Sequence, residues 1–183
     1  SAPVILPAKI SNEQLIEVNT DVYHLWIDPK GGNIVKAQLV KYPQTMETPN
    51  EGFRLLDYTN DRYYVAQSGL INAKGPDNQA GQAVYTSAQP VYNLGPDQKE
   101  LTVDLNWKNE DGILVTKSFI FHPNSYVIGL KYTVANPTDI PFQAKLYGQL
   151  KREYKGKSSS KMIGVQMYQG SAVYTPDKPY KKI

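Results

Sequence analysis

Residues 100–150 read ELTVDLNWKNEDGILVTKSFIFHPNSYVIGLKYTVANPTDIPFQAKLYGQL. Leu101, Val103, Leu105 and Trp107 fall on one face of an extended chain, with Thr102, Asp104 and Asn106 on the other. Asn109-Glu110-Asp111-Gly112 turns the chain, and Ile113, Val115, Phe119 and Phe121 share the next face. His122-Pro123-Asn124-Ser125 turns it again, ahead of Tyr126, Ile128, Leu130, Tyr132 and Val134. A third turn over residues 136–141 leads to Phe142, Ala144, Leu146, Gly148 and Leu150. Strands of period two joined by short polar turns predict an antiparallel meander with one buried face.

The same pattern extends upstream. Residues 15–19 and 22–28 alternate as strands, and Asp28-Pro29-Lys30-Gly31-Gly32-Asn33 is a turn, since proline fixes φ and glycine admits positive φ. Residues 34–42 resume the extended pattern until Pro43, and residues 53–57 and 62–67 are shorter strands. Residues 70–83 carry Asn72, Gly75, Pro76, Asp77, Asn78 and Gly81, which break any long regular element. Residues 1–14 read as a linker, residues 153–161 as a polar loop, and residues 162–175 as one or two further strands. The fold class is therefore all-β, an antiparallel β-sandwich over residues 15–183.

Composition bounds the chemistry. A chain of 183 residues with 40% hydrophobic and 20% charged residues has the makings of a packed core, which argues against wholesale disorder. With no cysteine, disulfide frameworks, Cys-based zinc sites, iron–sulfur clusters and thiol catalysis are excluded. A net charge of +3 does not by itself argue for nucleic acid. No apolar run approaches the ~18 residues of a spanning helix, so the chain is expected to be a soluble body, whole or part of something larger.

Candidate catalytic groups reduce to structural ones. His24 falls in a strand and His122 in a turn, with no spacing that pairs them and no metal-ligand cluster, so no metal or cofactor is expected. Ser158-Ser159-Ser160-Lys161 matches the Ser-x-x-Lys string of penicillin-recognising enzymes, but in a polar loop instead of at a helix start. Glu17, Asp21, Asp28, Asp57, Asp61, Asp77, Asp104, Glu110 and Asp111 read as turn formers or outward strand residues. Lys151, Arg152, Lys155, Lys157 and Lys161 form a local basic run, read as a solvated loop edge, and no nucleic-acid partner is expected. Tyr58, Tyr63, Tyr64, Tyr85, Tyr92, Tyr147, Tyr154 and Tyr168 suit exposed strands, with a sugar or peptide groove as the alternative.

Several strings go further. Thr20-Asp21-Val22, then Gly31-Gly32-Asn33, then Tyr42-Pro43 resemble the opening of the large periplasmic domain of the YidC membrane protein insertases of Gram-negative bacteria. Residues 66–70 (AQSGL), followed by Gly75-Pro76-Asp77-Asn78, are similar to the same family. So are Tyr147-Gly148-Gln149-Leu150-Lys151 and residues 170–177 (GSAVYTPD), all in the family's order. The resemblance implies a β-supersandwich of the galactose mutarotase-like kind, on the periplasmic face of the inner membrane. It implies a chaperone-like protein that inserts and helps fold inner-membrane proteins, alone or with the Sec translocon. Its substrate groove lies in a transmembrane core outside this chain, where nascent membrane proteins are received. The family domain continues past the position of Ile183, so the sandwich is expected to be truncated at its C-terminal end.

The expected function is a non-enzymatic interaction or spacer domain, with the accessory proteins SecD and SecF as partners. Tyr147, Gln149, Lys151, Arg152, Tyr154 and Lys155 are the expected contact residues, because the resemblance places a contact region near residues 141–161. The alternative is a carbohydrate-binding or mutarotase-like sandwich.

Overall fold

The computed structural model describes residues 15–59, 62–153 and 172–182. The expected linker, Tyr154, Lys155, Tyr168 and the 158–161 string lie outside the described residues.

A large sheet begins with β1 (Ile16–Asn19), β2 (Tyr23–Asp28) and β3 (Asn33–Pro43), where Gly31 and Gly32 make the β2–β3 turn at φ of 77° and 58°. It continues through β4 (Gly52–Tyr58), β5 (Tyr63–Ile71), and the short β6 (Asp77–Asn78) and β7 (Gly81–Gln82). Strand β8 (Thr86–Ser87) leaves for a second sheet, while β9 (Val91–Asn93) returns to pair parallel with β1. The β5–β6 pairing is parallel as well, so the large sheet is mixed rather than purely antiparallel. The second sheet holds β8, β10 (Leu101–Lys108), β11 (Leu114–Phe121) and β12 (Gly129–Ala135), with β10 to β12 in the expected antiparallel meander.

The fourth strand of that stretch departs from the expectation. Strand β13 (Lys145–Glu153) leaves the meander and pairs antiparallel with β5 along its whole length, from Lys145 opposite Ile71 to Glu153 opposite Tyr63. The irregular residues 136–144 carry the chain from one sheet to the other. Glu153, the expected start of a polar loop, is the last residue of this strand, and the rest of that expected loop lies outside the described residues. Backbone pairing also forms a separate hairpin of β14 (Ala172–Thr175) and β15 (Lys178–Lys182). Among the described residues there is no helix long and apolar enough to cross a membrane.

The two sheets face each other across one core. Val18, Leu25 and Ile27 from the large sheet pack with Val103, Leu105, Phe119 and Phe121 from the small one, all nearly or fully buried. Each such side chain contributes about 1.5–3 kcal/mol by leaving water. Alternation sets this layer, since β2 buries Tyr23, Leu25 and Ile27 and half-exposes His24, Trp26 and Asp28. A smaller cluster of Leu15, Val35 and Val65 involves Trp26, Tyr58 and Tyr63.

The face predicted on β13 is not buried. Leu146 and Leu150 are 66% and 65% exposed, because the described part of the small sheet does not extend over β13. Leu130 on β12 is 41% exposed as well. Both β12 and β13 have one edge without a strand partner among the described residues.

Candidate functional site

Three of the strings singled out above, at residues 31–33, 66–70 with 75–78, and 147–151, contribute residues around a lysine that none of them contains. Lys117 occupies the inward parity of β11, between Val115 and Phe119, and has no solvent exposure. Its Nζ donates to Gly31 O at 3.0 Å and to Ser68 O at 2.9 Å, so it joins the β2–β3 turn and strand β5 to the opposite sheet. The Phe119 and Tyr132 ring centroids lie 5.3 and 5.6 Å from Nζ. Burial pushes this amine down to about 7, and the nearby Asp77 charge pulls it back up.

Asp77 is the anionic pole. It is buried, against the expectation of a turn former at the surface, because the Gly75-Pro76 turn folds it back under β5. Leu70 N donates to its Oδ2 at 2.8 Å, and Tyr147 Oη to its Oδ1 at 3.5 Å. A chain of donors continues outward: Gln82 Nε2 to Tyr147 Oη at 2.9 Å, and Asn33 Nδ2 to Gln82 Oε1 at 2.9 Å. Burial raises the Asp77 carboxyl, while the Leu70 bond and the Lys117 charge lower it in part. Burial also raises the phenols of Tyr85, Tyr132 and Tyr147. Two buried atoms of this region, Tyr85 Oη and Asn33 Oδ1, have no hydrogen-bond partner among the described residues.

The glycines follow from this packing. A Cβ on Gly69 would lie 2.1 Å from Asp77 Oδ2, and one on Gly32 would lie 3.0 Å from Lys117 Cδ. Gly148 differs, with nothing within 4 Å of where its Cβ would be. Thus Gly31, Gly32, Gly75, Pro76, Asp77 and Tyr147 build one polar centre between the sheets, while Asn78 is exposed beside it and its Nδ2 donates to Gly75 O at 3.2 Å. Lys117 was missed because the reading of β11 passed from Val115 to Phe119. The signal was there: a charged residue at an inward position in a run of buried apolar ones.

Beside this centre lies an open groove of about 410 Å³ between β5 and β13 on one side and β11 and β12 on the other. Its wall is mostly apolar, from Ile34, Phe119, Ile128 and Leu130, with Gln67, Ser68 and Gln149 as polar groups. Of the expected contact residues, Tyr147 is half-buried and bonded inward, whereas Gln149, Lys151 and Arg152 are exposed on β13. Gln149 Nε2 donates to Gln67 Oε1 at 2.8 Å, and Lys151 Nζ lies 5.7 Å from the Tyr63 ring centroid.

The other candidates disperse. The tyrosines do not share one groove: Tyr85 and Tyr92 are buried in the core, and Tyr58 packs edge-on against Tyr63 at 5.4 Å. His24 stacks on Trp26 and meets Glu17 at 3.1 Å, while His122 bonds Lys99 O at 3.1 Å. Among the described residues no three of His, Cys, Asp and Glu form a group able to hold a metal ion.

The arrangement defines a class first: a two-sheet β domain whose polar centre holds its own backbone together and whose open surface lies along one groove and one edge strand. The family profile described as the YidC periplasmic domain matches residues 15–183. The chain is 40% identical over 179 residues to the membrane protein insertase YidC of Stutzerimonas stutzeri, covering 97% of this chain and 32% of that protein. It is likewise 40% identical over 200 residues to the YidC of Pseudomonas aeruginosa, covering 97% and 34%. With the YidC of Alcanivorax borkumensis the identity is 38% over 188 residues, covering 99% and 32%. This chain belongs to the YidC periplasmic domain family, and so lies on the periplasmic side of the inner membrane. It spans about a third of the length of the curated relatives it matches.

Proposed function

We propose that the chain is the N-terminal part of the periplasmic domain of a membrane protein insertase, acting without catalysis as an interaction and spacing module. Nascent membrane proteins would be handled by a transmembrane core outside this chain. SecD and SecF are the partners this module would meet. The observation that carries the reading is strand β13, an edge strand in which eight of nine residues are exposed and only Tyr147 is engaged inward. Such an edge offers backbone groups for strand addition and side chains for selectivity. Gln149, Lys151 and Arg152 supply those side chains, with Tyr154 and Lys155, outside the described residues, proposed as further contact residues.

The exposed Leu146, Leu150 and Leu130 support a second part of the reading. Leu130 and Leu150 line the open groove, and the polypeptide beyond this chain would supply the strands that cover all three and complete a supersandwich. The test is co-purification of SecD and SecF with the full-length protein carrying Gln149→Ala and Arg152→Glu together. Loss of co-purification with normal protein levels supports the contact. Unchanged co-purification, with membrane-protein insertion also unchanged, leaves only the spacer role.

A further inference from the structure

We propose that Lys117 joins the two sheets as a neutral amine, and that protonating it weakens the joint between the β2–β3 turn, strand β5 and the small sheet. A neutral amine has two N–H donors, and the structure provides two acceptors, Gly31 O at 3.0 Å and Ser68 O at 2.9 Å. An ammonium has three donors, and among the described residues the third meets no oxygen. Lys117 makes no direct ion pair with any described carboxylate, and it has no exposure through which water could solvate the charge.

The groups facing the amine come from every element around it. Asp77 of β6 and the ring faces of Phe119 and Tyr132 favour the cation. The phenols of Tyr85 and Tyr147 are nearby in the same polar centre and stay protonated, since burial raises both. Leu105, opposite Lys117 on β10, and Gly32 add no charge. These influences leave the amine near 7, far below an ordinary lysine.

The sign follows from linkage. Between about pH 7 and the ordinary lysine value of about 10.4, the unfolded chain holds a proton that the folded chain lacks, so stability rises with pH. Above about pH 10 the raised tyrosines reverse the slope, because the unfolded chain then loses protons the folded one keeps. Ser68 and Phe119 also line the groove, so the loosened joint is at its wall.

The experiment is a titration of the Lys117 side chain by heteronuclear NMR in the chain, with its signal assigned by its disappearance in Lys117→Met. Urea unfolding from pH 6 to 10 runs alongside, on both proteins. The expected result is a midpoint near 7 and a folding constant that rises by up to tenfold per pH unit above it, in the wild type alone. A midpoint above 10, or parallel profiles in wild type and variant, overturns the proposal. If Lys117→Met does not fold, the wild-type titration and its stability profile decide the question, with assignment by through-bond correlation from the Lys117 backbone.

Discussion

Replacing Gly69 with alanine tests the polar centre at its tightest point. The new Cβ would lie 2.1 Å from Asp77 Oδ2, 2.6 Å from Asp77 Cγ and 2.7 Å from Tyr147 Cε1. None of these distances is tolerable, so the carboxylate must move. Asp77 Oδ2 is the acceptor for Leu70 N at 2.8 Å, and moving it strips a buried backbone donor of its partner. Overpacking costs about 1–3 kcal/mol, the orphaned donor about 1–3 more, and the entropy gained over glycine returns up to about 1, for a net loss of about 1–5 kcal/mol. Gly148→Ala is the control, on the strand paired with β5 and one residue out of register. Its Cβ would meet nothing within 4 Å, so it should be neutral or stabilise by up to about 1 kcal/mol. Urea unfolding followed by tryptophan fluorescence measures both, since Trp26 and Trp107 each border a core cluster. Equal stability of Gly69→Ala and wild type would refute the packing argument, as would equal damage from the two alanines.

Other substitutions separate the contributions. Tyr85→Phe removes a buried hydroxyl that has no partner among the described residues, so it should cost less than about 0.5 kcal/mol or stabilise, read as a midpoint shift in urea. Asp77→Ala leaves Leu70 N without an acceptor and should cost at least about 1–3 kcal/mol in the same assay. Leu146→Ser with Leu150→Ser should change the stability of this chain by less than about 1 kcal/mol, because both side chains are mostly exposed. In the full-length protein the same pair should cost several-fold more if further strands cover them, and equal small effects in both would argue against that covering.

Much of the sandwich was legible because its strands alternate strictly. Residues 101–107 and 115–121 place their apolar members inward as the period requires, and the two glycines after Pro29 make the turn their φ values demand. The destination of β13 was not legible. Its alternation is the same whether it joins β12 or β5, and pairing is decided by the irregular residues before it and by the edge β5 leaves open. Local pattern likewise could not tell that Leu146 and Leu150 lack a covering layer. Short strands such as β8 and β9 have too few residues for a period to register. The polar centre was half legible: its glycines, Asp77 and Tyr147 stand in recognisable strings, but what unites them is a distant lysine hidden in an apolar run. A charged residue at an inward parity reads locally as a flaw in the pattern, and only the oxygens of Gly31 and Ser68 explain it.

The most direct test of the proposed role is photo-crosslinking in native membranes from a single reactive residue placed at Gln149 of the full-length protein. Met46, 91% exposed on the β3–β4 loop, is the control position. Adducts to SecD or SecF from position 149 and none from position 46 are the predicted result. Adducts from neither position, or from both alike, would contradict a partner surface on β13.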